Sequence, residues 1–115
     1  MLAVIFEVTP TAAGEADYLA AAAALKPLLA DIDGFLGIER FASLSEPGKI
    51  LSLSFWRDEA AIAQWRQLEA HRAAQQQGRQ QLFVDYRLRV AAVVRDYGMT
   101  SREEVPADSM LHHSS

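Results

Sequence analysis

The chain has 115 residues, half of them apolar and 23% charged, with a formal net charge of −4 at pH 7. That is one domain with a core of its own, in the range of soluble globular proteins. It contains no cysteine, which excludes disulfides, thiolate metal sites and a cysteine nucleophile, and a mildly acidic chain without a basic cluster argues against nucleic acid or an anionic membrane as partner.

The opening Met1-Leu2-Ala3-Val4-Ile5-Phe6-Glu7 has no basic region and reaches a carboxylate after a short apolar run. It does not read as a signal peptide, and no run approaches the ~20 residues of a membrane span; a cytoplasmic location is the expectation. Residues 2–8 predict a first strand, stopped by Thr9-Pro10-Thr11. An alanine-rich helix follows over 13–32, with Tyr18, Leu25, Leu28, Leu29 and Ile32 near one stripe and Glu15 and Asp17 in its first turn. Pro27 removes a backbone hydrogen bond inside that helix, so the expectation is a bend or a break near Lys26. Asp33-Gly34 closes the segment.

Residues 35–43 and 49–56 predict two strands joined at Ser45-Glu46-Pro47-Gly48, a hairpin. Simple alternation puts Phe35, Gly37, Glu39 and Phe41 on one face of the first and Leu36, Ile38 and Arg40 on the other. Asp58 is placed to cap a second helical region that runs to about residue 77, as one helix or two. Residues 83–97 read as a long last strand, beyond the usual five or six residues. A polar stretch, 100–115, follows the domain at 1–99 and reads as a tail that is either mobile or reaches a partner subunit.

The order β-α-β-β-α-β predicts an α+β, ferredoxin-like fold: an antiparallel four-stranded sheet with two helical regions on one face. The strands carry apolar side chains toward both faces, and two helices cover only one. A second copy packed sheet to sheet removes the problem, so the expectation is a homodimer.

With these elements in place, Ala3-Val4-Ile5-Phe6-Glu7-Val8, Asp33-Gly34-Phe35-Leu36-Gly37-Ile38-Glu39-Arg40-Phe41, Leu51-Ser52-Leu53-Ser54-Phe55-Trp56-Arg57-Asp58-Glu59, Trp65 and Ala70-His71 resemble the antibiotic biosynthesis monooxygenase (ABM) domain family over roughly residues 1–97. The resemblance implies a dimeric α/β barrel in which each subunit has a pocket between sheet and helices. It implies a cofactor-independent monooxygenase acting on a small aromatic, phenol- or quinol-like substrate with dioxygen. The family also has a haem-degrading branch, similar to this chain in a helical histidine, here His71. That branch uses an asparagine near the end of the first strand; this chain has no asparagine, and Glu7 lies near that place.

The candidate catalytic residues are therefore His71, as base, hydrogen-bond donor or metal ligand, and Arg40, which holds an anionic oxygen if it faces the helices and an acidic partner if it faces the interface. Trp56, Trp65, Phe55 and Tyr86 are candidates to wall a substrate pocket, although residues of this kind more often fill the core. His112 and His113 fall in the tail, and Arg66, Arg72 and Arg79 read as a solvated helix face. No nucleotide, flavin or metal motif is present, so no cofactor is expected, with haem as the alternative. Two further readings stay open: a haem- or small-ligand-binding dimer without turnover, and a non-catalytic structural dimer.

Overall fold

The computed structural model describes residues 1–75 and 83–110. The elements are β1 (Leu2–Pro10), α1 (Glu15–Ala30), β2 (Phe35–Ala42), β3 (Ile50–Trp56), α2 (Glu59–Gln75), β4 (Phe83–Ala92) and a short α3 (Ala107–Met110). The four strands form one antiparallel sheet in the order β2-β3-β1-β4. This is the ferredoxin-like arrangement that the pattern predicts. No described helix is long and apolar enough to cross a membrane.

The core lies where both helices meet one sheet face. Leu29 of α1 and Ala61 and Ile62 of α2 pack on Val4 of β1 and Trp56 of β3, with Phe35, Ile38 and Trp65 around them. A second cluster joins Val8 and Ile50 to Tyr18 of α1. On β3 the buried positions are Ile50, Ser52, Ser54 and Trp56, while Leu51, Leu53 and Phe55 face the opposite side. In the middle of the strand, Leu51, Leu53 and Phe55 thus point away from the helices, and the small hydroxyls of Ser52 and Ser54 point toward them. Trp56 decides this parity: its indole is 1% exposed, and burying a ring of that size stabilises by about 4–6 kcal/mol. Its Nε1 donates to Ser54 Oγ at 2.9 Å, so the buried indole N–H is satisfied.

β2 departs from simple alternation. Its register against β3 shifts between Phe35 and Gly37, and the extra residue, Leu36, is 56% exposed. One inserted residue flips the side-chain parity. Phe35 therefore shares a face with Ile38 and Arg40 and packs edge-on against Trp56, ring centroids 5.1 Å apart. The predicted grouping of Phe35 with Gly37, Glu39 and Phe41 is corrected by this shift.

Local chemistry accounts for the connections. Lys49 N–H donates to the Glu46 carbonyl, and Gly48 has φ +85°, so Glu46-Pro47-Gly48-Lys49 is a turn with proline and glycine where a type II turn requires them. Asp58 caps α2 as expected: its Oδ1 accepts from Ala61 N–H at 3.0 Å. Pro27 lies inside a continuous α1. Both it and Ala23, whose carbonyl it leaves without an intrahelical donor, are exposed, so water completes that carbonyl and the helix is not broken. The last strand is shorter than predicted. Leu2 pairs with Ala92, and Val93 N–H donates to the Met1 carbonyl; the strand ends at Ala92. Residues 96–105 form a small turn in which Gly98 N–H donates to the Ser101 carbonyl and Arg102 stacks on Tyr97.

Gly34 is the tightest joint between the layers. Its φ is +94°, its carbonyl accepts from Arg57 N–H at 2.7 Å, and a Cβ there would stand 2.9 Å from the Ala61 Cβ. Gly34→Ala combines left-handed strain with a clash against a helix and should cost about 2–4 kcal/mol. Gly48→Ala, with positive φ but open space around it, should cost only about 1 kcal/mol. Urea denaturation of the two variants checks the difference.

Candidate functional site

Between the sheet and the two helices lies a cavity of about 570 Å³, within the usual range for a small-molecule site. Its floor is Val4 and Phe6 of β1, Ile38 and Arg40 of β2, Ser52, Ser54 and Trp56 of β3, and Leu88 and Val90 of β4. Its roof comes from Tyr18, Ala22, Leu25 and Leu29 of α1 and from Ile62, Trp65, Arg66 and Glu69 of α2. The walls are mostly apolar. Toward β4 the cavity opens: Tyr86 is 62% and Leu88 43% exposed.

Two groups of rings bound it. At the end of β3, Trp56 and Trp65 lie with centroids 5.9 Å apart. On the β1–β4 side, Phe6 lies 6.1 Å from Phe83 and 5.8 Å from Tyr86, and Tyr18 stands 5.5 Å from Phe83. These near-perpendicular and tilted contacts suit aromatic quadrupoles and hold the walls in place.

The polar groups gather on the floor and on α2. Arg40 pairs directly with Ser52 in the β2–β3 register, and both line the cavity. The Arg40 Nε is buried and has no hydrogen-bond partner among the described residues. Three other cations have carboxylate partners. Arg89 reaches Glu7 at 2.7 Å, Lys49 lies 3.7 Å from Glu7, and Arg57 binds both Asp33 oxygens at 3.1 Å. The charge of Arg57 holds Asp33 below its ordinary carboxylate range, and the Ala61 N–H followed by Arg57 does the same for Asp58. Glu69 shows the opposite shift. The residue as a whole is exposed, yet its carboxyl is partly desolvated against the cavity wall, which raises its pKa above the ordinary 4.5.

Of the residues singled out in the sequence, Arg40, Trp56, Trp65 and Tyr86 come together around this cavity. Phe55 does not: it is the strand neighbour of Trp56, so it points to the other sheet face, opposite Ala3 and Gly37. Glu7 also lies outside the cavity, held on that other face by Arg89 and Lys49. The side chains of His71 and Arg72 lie outside the described residues, as do Arg79, His112 and His113. Arg66, which the sequence reading assigned to a solvated face, and Glu69, which it did not single out, are functional candidates. Their signal was the helical period itself: Ile62, Trp65, Arg66 and Glu69 stand at i, i+3, i+4 and i+7.

The family model for antibiotic biosynthesis monooxygenases matches residues 1–77. The chain belongs to this family. Over 93 residues, 81% of its length, it is 50% identical to a protein named jasmonate monooxygenase ABM from Pyricularia oryzae, and it spans 43% of that relative. Among solved structures it resembles the haem degrader MhuD from Mycobacterium tuberculosis, crystallised with two haems in its active site (TM-score 0.64, 18% identity, covering 85% of this chain and 100% of the other). It also resembles a variant of SnoaB, a cofactor-independent oxygenase from Streptomyces nogalater (TM-score 0.65, 12% identity, 83% and 94% covered). At such identities the two structures establish the shared fold.

Because its pKa is raised in the folded state, the Glu69 carboxyl favours folding when protonated, and that contribution is lost as pH rises through the folded value. Glu69→Gln should therefore raise the melting temperature at pH 7 and leave it nearly unchanged below pH ~4. Thermal melts of both proteins at the two pH values check the sign.

Proposed function

We propose that the chain is a cofactor-independent monooxygenase that oxygenates a small aromatic, phenol- or quinol-like molecule in the cavity between sheet and helices. The observation that carries this reading is the cavity itself: apolar walls, two tryptophans at one end and an unpaired guanidinium on the floor. Family membership and the name of the Pyricularia oryzae relative support monooxygenation as the reaction type.

The chemistry asks little of the protein beyond what these residues offer. Loss of a proton from the substrate gives an electron-rich anion that reduces dioxygen; oxygen then adds to the ring carbon and water leaves. A methylene flanked by two rings becomes a ketone, one dioxygen is consumed, and one of its atoms leaves as water, so the substrate supplies every electron. Trp56 and Trp65 exclude bulk water and position the ring, Tyr86 edges the opening, and Arg40 holds negative charge on the substrate. The proton acceptor is His71 by the family resemblance or Glu69 by its place on the wall.

We further propose that the outer sheet face docks a second copy. Ile5, Leu51, Leu53 and Phe55 form its apolar middle, flanked by the Glu7–Arg89–Lys49 ion cluster. The haem reading ranks second. It has the MhuD fold in its favour, but the chain has no asparagine and Glu7 faces away from the cavity.

Oxygen consumption with 1,8-dihydroxyanthrone tests the activity. The expected result is one dioxygen per anthrone, with anthraquinone formed and no added cofactor. Trp65→Ala should lower kcat/KM about ten-fold or more. His71→Ala and Glu69→Gln separate the two proton acceptors, since loss of the true base costs about 10²–10⁴-fold. No oxygen uptake by the intact protein rejects the reading, and a Soret band with haemin that His71→Ala abolishes moves it to haem. Light scattering should give twice the monomer mass.

A further inference from the structure

We infer that the floor of the cavity is a carboxylate subsite: Arg40 and Ser52 hold the ionised acid group of an amphipathic substrate whose apolar body extends toward Trp56 and Trp65. This rests on reading the cavity as the substrate site, and adds the substrate class.

The first support is an unbalanced charge. Lys49, Arg57 and Arg89 each have a carboxylate partner on this chain. Arg40 has none among the described residues, and its Nε is sealed from water without an acceptor. Leaving such a donor unmet is unfavourable, because its lost hydration is not replaced. An arrangement that carries this cost at rest recovers it when an anion arrives.

Geometry selects the kind of anion. Ser52 is the cross-strand partner of Arg40, is 7% exposed, and points to the same face. A guanidinium fork beside a hydroxyl presents donors in a row. A carboxylate has two oxygens and about four lone-pair sites to accept them; a phenolate offers one oxygen. Ser52 also lies four residues from Trp56 on β3, roughly 13 Å along the strand. One small ring cannot touch both ends, whereas the 570 Å³ cavity admits a ring with an acid-bearing arm. The anion at Arg40 is thus a permanent charge remote from the tryptophans.

Glu69 is not a built-in counter-ion. Burial alone accounts for its raised pKa, with no lowering by either arginine of the cavity. The neighbouring Arg66 adds positive potential to the same chamber, which further suits an anionic ligand.

The test uses 5-phenylpentanoic acid and its methyl ester as probes, titrated at pH 7 against the intrinsic fluorescence of Trp56 and Trp65. The acid should bind at least ten-fold more tightly than the ester. Arg40→Gln should remove that preference by weakening the acid and sparing the ester, and Arg40→Lys should restore part of it. Ser52→Ala should reduce the preference several-fold, which keeps the test decisive if Arg40→Gln fails to fold. Equal binding of acid and ester, binding of neither, or an acid preference that survives both Arg40→Gln and Ser52→Ala overturns the inference. Anthrone oxygenation is read separately. Oxygen uptake without acid preference sinks only the carboxylate subsite, and acid preference without oxygen uptake sinks only the oxygenase.

Discussion

The burial of Trp56 organises this molecule. As the last residue of β3, the indole fixes which side of that strand faces the helices, and its N–H would be a buried orphan were Ser54 not two residues earlier on the same face. Phe35, Ile62 and Trp65 assemble around it, so one ring ties together β2, β3 and α2. The cavity follows from the same choice. Inward positions 52 and 54 carry serines, too small to fill the space beneath the helices, and the sheet is left with a chamber where a larger side chain would have made solid core.

Much of this was legible in the residues. Pro47-Gly48 and Asp58 announce a turn and a cap because their chemistry is local: a fixed φ, a permitted left-handed backbone, a side-chain oxygen within reach of an amide. Element order and sheet type followed from these signals and from the hydrophobic runs. The inward location of Arg40, Trp56, Trp65 and Tyr86 was one of two readings that alternation allowed, and the fold chose it.

What stayed hidden depends on the register between strands. Nothing in Phe35-Leu36-Gly37 reveals that Leu36 is the extra residue, yet it determines that Phe35 joins Arg40 on the cavity side. Phe55 was grouped with Trp56 because both are large and adjacent, although adjacency in a strand sends them to opposite faces. The end of β4 lies where its pairing with β1 stops, a tertiary fact, while its valines alone favoured a longer strand. Arg66 and Glu69 were passed over because charged helix residues usually face water; only the stripe shared with Ile62 and Trp65 marks them.

The position of β2 and β4 at the two margins of the sheet has a consequence for how the protein behaves when concentrated. Each presents a row of backbone groups with no neighbour on its outer side, a template on which foreign strands could add. The side chains there are poor company for such growth. Asp85, Arg87 and Arg89 occupy successive outward places on β4, and Glu39 sits mid-way along β2. An incoming strand would have to strip water from these charges without supplying their counterparts. The charges of the outer face, the arginine of the ion cluster among them, thereby help keep separate molecules from zipping together along their rims.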